Sequence, residues 1–76
     1  MNINERVRAI LAGYTAGQDV TDDMDFREAG LDSVEMLEFF AEIEASFGIH
    51  FREGDLDLAT LNSIEAVSRL VERRMP

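Results

Sequence analysis

Apolar residues recur at intervals of three and four positions in three segments of the chain, with polar stretches between them. This spacing is typical of helices that bury one face, because positions three and four apart are neighbours on a helix surface. The first segment predicts a helix over residues 3–14, whose end is weakened by Gly13 and Gly17. The other two segments predict helices over residues 33–47 and 63–75, so we expect an all-α fold.

A short polar side chain followed three residues later by a glutamate precedes each helical segment, which is the pattern of a capping box. The pairs are Asn2 with Glu5, Asp32 with Glu35, and Asn62 with Glu65. Gly48 follows the last apolar residue of the second segment, where a left-handed residue commonly ends a helix. The start and the end of the second helix are therefore both predicted.

The second helix has more apolar residues than one buried face requires. At about 100° per residue, one broad face collects five of them and is assigned to the core: Met36, Phe39, Phe40, Ile43 and Phe47. A second stripe, Val34, Leu37 and Ala41, lies about 120° away and is bordered by Glu38 and Glu44. This stripe is either a further part of the core or an exposed ridge with acidic borders, the pattern of a docking surface.

The connection over residues 15–32 is long for a small domain, and loops of this length are often functional. We expect Val20, Phe26 and Leu31 to anchor it to the core. Residues 49–51 are predicted to be an extended linker and residues 53–59 to hold one short helical turn. The predicted core has fourteen members: Val7, Ile10, Leu11, Phe26, Phe39, Phe40, Ile43, Phe47, Ile49, Leu61, Ile64, Val67, Leu70 and Val71.

The net charge of −9 is concentrated in the middle of the chain, where residues 19–57 hold 13 of the 16 acids and two of the seven arginines. Such a surface repels nucleic acid and anionic lipid, and it favours basic protein surfaces or serves only to keep the chain soluble. No basic and apolar leader or membrane-length apolar run is present in these 76 residues. We expect one cytoplasmic, monomeric domain over residues 1–76.

The sequence offers little for catalysis or metal binding. Asp22, Asp23 and Asp25 lack the glycine and the closing glutamate of a calcium loop, so no metal site is predicted. Ser33 is separated from His50, the only histidine, by a predicted helix that spans roughly 20 Å, which leaves the serine without a general base. The chain has no cysteine, so any thiol must arrive on a cofactor. We do not expect an enzyme.

Ser33 is nevertheless the strongest candidate for a functional residue. It lies at the start of the second helix, where unpaired N–H groups and the positive end of the helix dipole stabilise a phosphate. The competing interpretation is that Ser33 is an ordinary first-turn serine. Position and residue type alone do not separate these two interpretations.

Residues 26–34, which include Gly30-Leu31-Asp32-Ser33, closely resemble the phosphopantetheine attachment motif of acyl carrier and peptidyl carrier proteins. The resemblance extends over essentially the whole chain, in its length, acidity and helix order. It implies an up-and-down four-helix bundle with three longer helices and a short third. It also implies that a phosphopantetheinyl transferase attaches 4′-phosphopantetheine from coenzyme A to Ser33, next to the motif residue Asp32.

The resemblance further implies that the thiol of this group holds acyl or aminoacyl intermediates as thioesters and presents them to partner enzymes with basic docking surfaces, after loading by a ligase or transferase. The residues implied in docking are Val34, Glu35, Leu37, Glu38, Ala41, Glu42 and Glu44. Leu31 favours a stand-alone carrier of specialised lipid, polyketide or nonribosomal peptide biosynthesis, because alanine is typical of the fatty-acid carrier at this position. Alternatives are a fatty-acid-synthesis carrier and an unmodified acidic adaptor.

Val34 and Ala29 depart from the motif, which commonly has leucine and a larger aliphatic residue at these positions. Neither change removes the chemistry of modification, but both alter the apolar surface around Ser33. We therefore expect them to affect the choice of partner.

Overall fold

A computed structural model describes residues 2–76, and three α-helices form its framework: α1 (Ile3–Leu11), α2 (Ser33–Phe47) and α3 (Ile64–Arg74). Single 3-10 turns follow α1 at Ala12–Tyr14 and lie between α2 and α3 at Glu53–Asp55. Within residues 2–76 there is no strand, so the predicted all-α class is confirmed. α1 packs against both other helices in a body of 32 × 27 × 19 Å.

The predicted short third helix consists of the single 3-10 turn at Glu53–Asp55. Glycine and aspartate are poor helix formers, and one turn is too short to offset the cost of helix nucleation. The turn is fixed by Asp55, whose carboxylate accepts a hydrogen bond from the Arg52 N–H at 2.8 Å. The same carboxylate binds the Arg74 guanidinium at 2.7 and 2.8 Å, and these contacts lower the pKa of Asp55 to about 2.

Two of the predicted caps are confirmed. The Asn2 side chain accepts from the Glu5 N–H at 2.8 Å, and Asp32 and Glu35 form the complete capping box of α2. α2 ends at Gly48, which has a left-handed φ of 65°.

The predicted cap of α3 was wrong by one residue. Ser63 caps this helix, and its side chain accepts from the Ala66 N–H. Asn62 instead fastens the long first loop: its carbonyl accepts from the Phe26 N–H at 2.8 Å and its amide donates to Asp25 at 3.3 Å. The Asn62 side chain, which the capping pattern assigned to α3, is therefore engaged in tertiary contacts with the loop.

The core is centred on Phe39, which is fully buried. Its ring meets the rings of Tyr14, Phe26 and Phe40 at centroid distances of 5.9, 5.4 and 5.8 Å. Twelve of the fourteen predicted core residues are buried, whereas Ile10 and Phe47 lie half-buried at its margin. The Phe47 ring is covered by the Arg6 guanidinium, 4.0 Å from its centroid.

The long loop over residues 15–32 is anchored as predicted, because Val20, Phe26 and Leu31 are all buried. Backbone bonds join it to α3, since the Asp22 carbonyl accepts from the Glu65 N–H at 3.0 Å. The Arg8 side chain joins it to α1 by donating to the Val20 carbonyl and to Asp22. The loop is therefore held by α1 and α3, and this fixes the position of the backbone where α2 begins.

Ser68 is a polar residue that lies buried in the core. Its residue is 5% exposed, and its hydroxyl has no hydrogen-bond partner within residues 2–76. A buried hydroxyl without a partner costs about 1–3 kcal/mol of desolvation.

Replacing this serine by alanine, Ser68→Ala, is expected to raise the free energy of unfolding by about 1 kcal/mol, because the orphaned hydroxyl is removed and alanine favours the helix. Urea denaturation followed by circular dichroism measures the change. Ser46→Ala, at an exposed position of α2, is the control and is expected to have a smaller effect. A clear loss of stability in Ser68→Ala would show that the hydroxyl has a partner.

Candidate functional site

The chain enters α2 through a tight turn that fixes the residues before Ser33. The Leu31 N–H donates to the Phe26 carbonyl at 3.0 Å, and the Leu31 side chain is 3% exposed. Gly30 makes the turn with a φ of 96°, a conformation that residues with a Cβ rarely adopt. Because Leu31 is held in the core, Asp32 and Ser33 emerge at the surface in a fixed position.

Ser33 is the first residue of α2 and is exposed. Within residues 2–76 its hydroxyl has no hydrogen-bond partner, and the backbone N–H groups of Ser33 and Val34 have no acceptor. The next two N–H groups are satisfied by Asp32, through its side chain to Glu35 and its carbonyl to Met36. A phosphodiester on Ser33 fits this arrangement, since two free donors and the positive helix end lie beside the serine oxygen.

The second apolar stripe of α2 faces solvent. Val34 is 63% exposed and Leu37 is 52% exposed, and Ala41 is exposed as well. The interpretation of this stripe as core was therefore wrong, and its interpretation as an exposed ridge is confirmed. Ala45, one turn beyond Ala41, is also exposed and extends the ridge. Its spacing of four residues from Ala41 was visible in the sequence and could have identified it.

The acids that border the ridge differ in their hydrogen-bond partners. Glu35 accepts from the Asp32 N–H at 3.3 Å and Glu44 accepts from the Phe51 N–H at 2.7 Å. Glu42 accepts a hydrogen bond from the Tyr14 hydroxyl. Glu38 is exposed and has no hydrogen-bond partner within the described chain. The sequence predicted the acids but not which of them are already engaged.

Tyr14 was not predicted to belong to this surface. Its hydrogen bond to Glu42, together with burial and the charges of Glu42, Glu38 and Glu35, raises its pKa to about 12. The hydrogen bond to Glu42 places the Tyr14 hydroxyl beside the acids that border the ridge. No sequence signal indicated this, because Tyr14 and Glu42 lie 28 residues apart in the chain.

The single histidine of the chain does not lie near Ser33. His50 is exposed and lies beyond the opposite end of the 15-residue α2. Among residues 2–76, no three His, Asp or Glu side chains are grouped so as to hold a metal ion. In the same range, no helix combines the length and the apolar character needed to cross a membrane.

Comparison with known proteins yields a family and two relatives. Residues 5–71 match the family described as phosphopantetheine attachment site. A non-reducing polyketide synthase, stbA, from Stachybotrys bisbyi is 35% identical over 60 residues, which is 76% of this chain and 3% of the synthase. This chain therefore corresponds to a small part of that relative.

The fold is similar to that of a carrier protein. The match is to a chain in the crystal structure of Bradyrhizobium japonicum glycine:[carrier protein] ligase complexed with its cognate carrier protein and an analogue of glycyl adenylate. The TM-score is 0.82 at 21% sequence identity, over 95% of this chain and 97% of that chain. With the match to residues 5–71, the chain belongs to the acyl and peptidyl carrier protein family, whose members bear covalently attached 4′-phosphopantetheine.

Proposed function

We propose that Ser33 is the residue that carries 4′-phosphopantetheine, and that the chain presents intermediates bound to this group to a series of partner enzymes. The observation that carries the proposal is the exposed Ser33 hydroxyl, which has no hydrogen-bond partner within residues 2–76 and stands beside two free backbone N–H groups. The match to the phosphopantetheine attachment family, over residues 5–71, includes this position.

The attachment reaction needs only a hydroxyl that a transferase can reach. The Ser33 oxygen forms a bond to the phosphorus next to the pantetheine of coenzyme A, the serine proton is removed, and the bond to the departing adenosine bisphosphate breaks. The attached group supplies the thiol for thioester chemistry, because the chain has no cysteine and therefore no thiol of its own. The chain itself contributes a helix start at which the resulting phosphodiester charge is stabilised by about 0.3–1 kcal/mol.

The exposed ridge next to Ser33 is proposed as the docking surface for the transferase and for the later partners. Val34, Leu37 and Ala41 offer apolar contact, and Ala45 continues the same line. Glu38 offers a carboxylate that has no hydrogen-bond partner within residues 2–76 and can bind a partner's arginine or lysine. An apolar centre with a charged border is the usual composition of a protein interface.

The proposed setting is a specialised biosynthetic pathway. The polyketide synthase relative supports an acyl intermediate, whereas the fold-related carrier was crystallised with a glycine ligase and supports an aminoacyl one. The two possibilities share the attachment site and differ in the group carried and in the enzyme that loads it. A second function, that of an unmodified acidic adaptor, would use the ridge but leave Ser33 unchanged.

Replacing the proposed attachment residue, Ser33→Ala, is expected to abolish phosphopantetheine transfer completely. The measurement is the intact mass after incubation with a broad-specificity transferase, Mg²⁺ and coenzyme A. Ser46→Ala, which removes an exposed serine at the other end of α2, is the matched control and should be modified like the wild type. Absence of transfer to the folded wild type, or unchanged transfer to Ser33→Ala, would contradict the proposal.

Truncating the ridge, Leu37→Ala, is expected to lower kcat/KM of the transferase about tenfold, because an apolar contact of the interface is lost. Since Leu37 is half-exposed in the free protein, the melting temperature should change little. Met75→Ala, which shortens an exposed apolar side chain after the end of α3, is the control. Equal kcat/KM values for the two variants would argue against docking through the ridge.

Protein isolated from its native cells is expected to carry a short acyl, polyketide or aminoacyl group on Ser33 if the pathway is a specialised one. Mass spectrometry of the peptide that contains Ser33 identifies the group. A series of saturated acyl chains that grow by two carbons would instead assign the chain to fatty acid synthesis. An unmodified serine in cells that contain an active transferase would favour the adaptor.

A further inference from the structure

We propose that Tyr14 is a positioning residue of the docking surface. Its hydroxyl holds the Glu42 carboxylate beside Glu38, so that the two carboxylates are arranged in advance for an arginine or lysine of the partner. This inference rests on the proposed function, since it assigns a role to the acids that border the ridge next to Ser33.

The aromatic ring of Tyr14 is fixed by the core. It meets Phe39 edge to face, with ring centroids 5.9 Å apart and an angle of 77° between the planes. Phe39 itself is fully buried and lies on the inner face of α2. From this anchored ring the hydroxyl reaches the outer edge of the same helix, where it donates to the Oε1 atom of Glu42. The position of Glu42 is therefore set by the packing of the core.

The acidic edge needs such a contact because its carboxylates repel one another. Glu38 and Glu42 are four residues apart on α2, and like charges at this spacing are unfavourable. Left alone, the two long side chains would move apart and sample many rotamers. The Tyr14 hydroxyl donates a hydrogen bond to one of them, which offsets part of the repulsion and restricts its motion.

The hydrogen bond from Tyr14 leaves Glu38 and Glu42 able to accept further hydrogen bonds from a partner. A carboxylate can accept about four hydrogen bonds, and within residues 2–76 Tyr14 is the only partner of the Glu42 side chain, through Oε1. Glu38 has no partner in that range, whereas Glu35 is bound to the N–H of Asp32. Glu38 and Glu42 thus form a pair of hydrogen-bond acceptors, of which Glu42 is already held in position by Tyr14.

Holding a side chain in its bound position lowers the entropic cost of association. Replacing tyrosine by phenylalanine, Tyr14→Phe, keeps the ring on Phe39 and removes only the hydroxyl. We expect this variant to raise the KM of the carrier for the phosphopantetheinyl transferase about three- to tenfold, with kcat unchanged. A hydroxyl that served only the packing of the domain would alter the melting temperature and leave KM as it was.

The hydrogen bond itself can be measured in the free protein. Tyr14 is the only tyrosine and the chain has no tryptophan, so phenolate absorbance reports on this residue alone. With a pKa of about 12, the wild type should be mostly un-ionised at pH 11, whereas a free phenol is about nine-tenths ionised there. The bond favours the protonated phenol, so its stabilising effect is complete below pH 10 and is lost as the pH rises through about 12.

The decisive experiment combines this titration with kinetics of the transferase on the wild type, Tyr14→Phe, Glu42→Gln and the double variant. Glu42→Gln should lower the pKa of Tyr14 toward 10, with circular dichroism used to confirm that the chain is folded at each pH. Because Tyr14 acts through Glu42, the two substitutions should be non-additive, and Tyr14→Phe should raise KM no further in the Glu42→Gln background. Glu72→Gln, at an exposed acid of α3, is the charge control.

Each other result overturns the inference in a distinct way. A tyrosine pKa that is unaffected by Glu42→Gln would exclude the bond. An unchanged KM in Tyr14→Phe, with normal modification of Ser33, would exclude the role in docking and leave the proposed function intact. Additive effects of the two substitutions would show that Tyr14 acts independently of Glu42. Absence of any modification of the wild type would reject the proposed function and, with it, a docking role for Tyr14.

Discussion

The N-terminal cap of α2 is the constraint on which the rest of the site depends. Asp32 satisfies two of the backbone donors at the helix start, through its side chain to Glu35 and its carbonyl to Met36. Within residues 2–76, the two donors that it leaves without an acceptor are those of Ser33 and Val34. Since the preceding Leu31 is buried, the cap cannot shift along the chain without withdrawing an anchor from the core. The position of the exposed serine therefore follows from the packing of its neighbours.

The same helix must serve the core and the surface at once. A chain of 76 residues has little interior, and α2 supplies much of it through Met36, Phe39, Phe40 and Ile43. Its opposite side exposes Val34 and Leu37, which a helix with only a structural role would be expected to replace by polar residues. Because one rigid helix carries both faces, the distance from Ser33 to each point of the ridge is fixed. This fixed geometry is consistent with the proposed docking of partner enzymes on the ridge.

The glutamates of α2 look alike in the sequence but have different hydrogen-bond partners in the structure. All the acids along α2 contribute to the negative net charge of −9 and to long-range attraction of a basic partner. Their short-range roles differ, because Glu35 completes a cap, Glu44 binds the N–H of Phe51, and Glu42 is bound by Tyr14. Three of the acids along α2 thus serve local structure, and in the proposed function the charge of the same helix also serves recognition of a partner.

The sequence by itself determined the helices, two of their three caps, the buried anchors of the long loop and the two faces of α2. These features depend on periodicity and on residues a few positions apart, which a sequence displays directly. Only the tertiary structure decided that the second stripe faces solvent, that Asn62 bonds Asp25 and leaves the cap to Ser63, and that Tyr14 reaches Glu42. Each of these depends on which residues distant in sequence become neighbours, and that is set by the packing of the whole core.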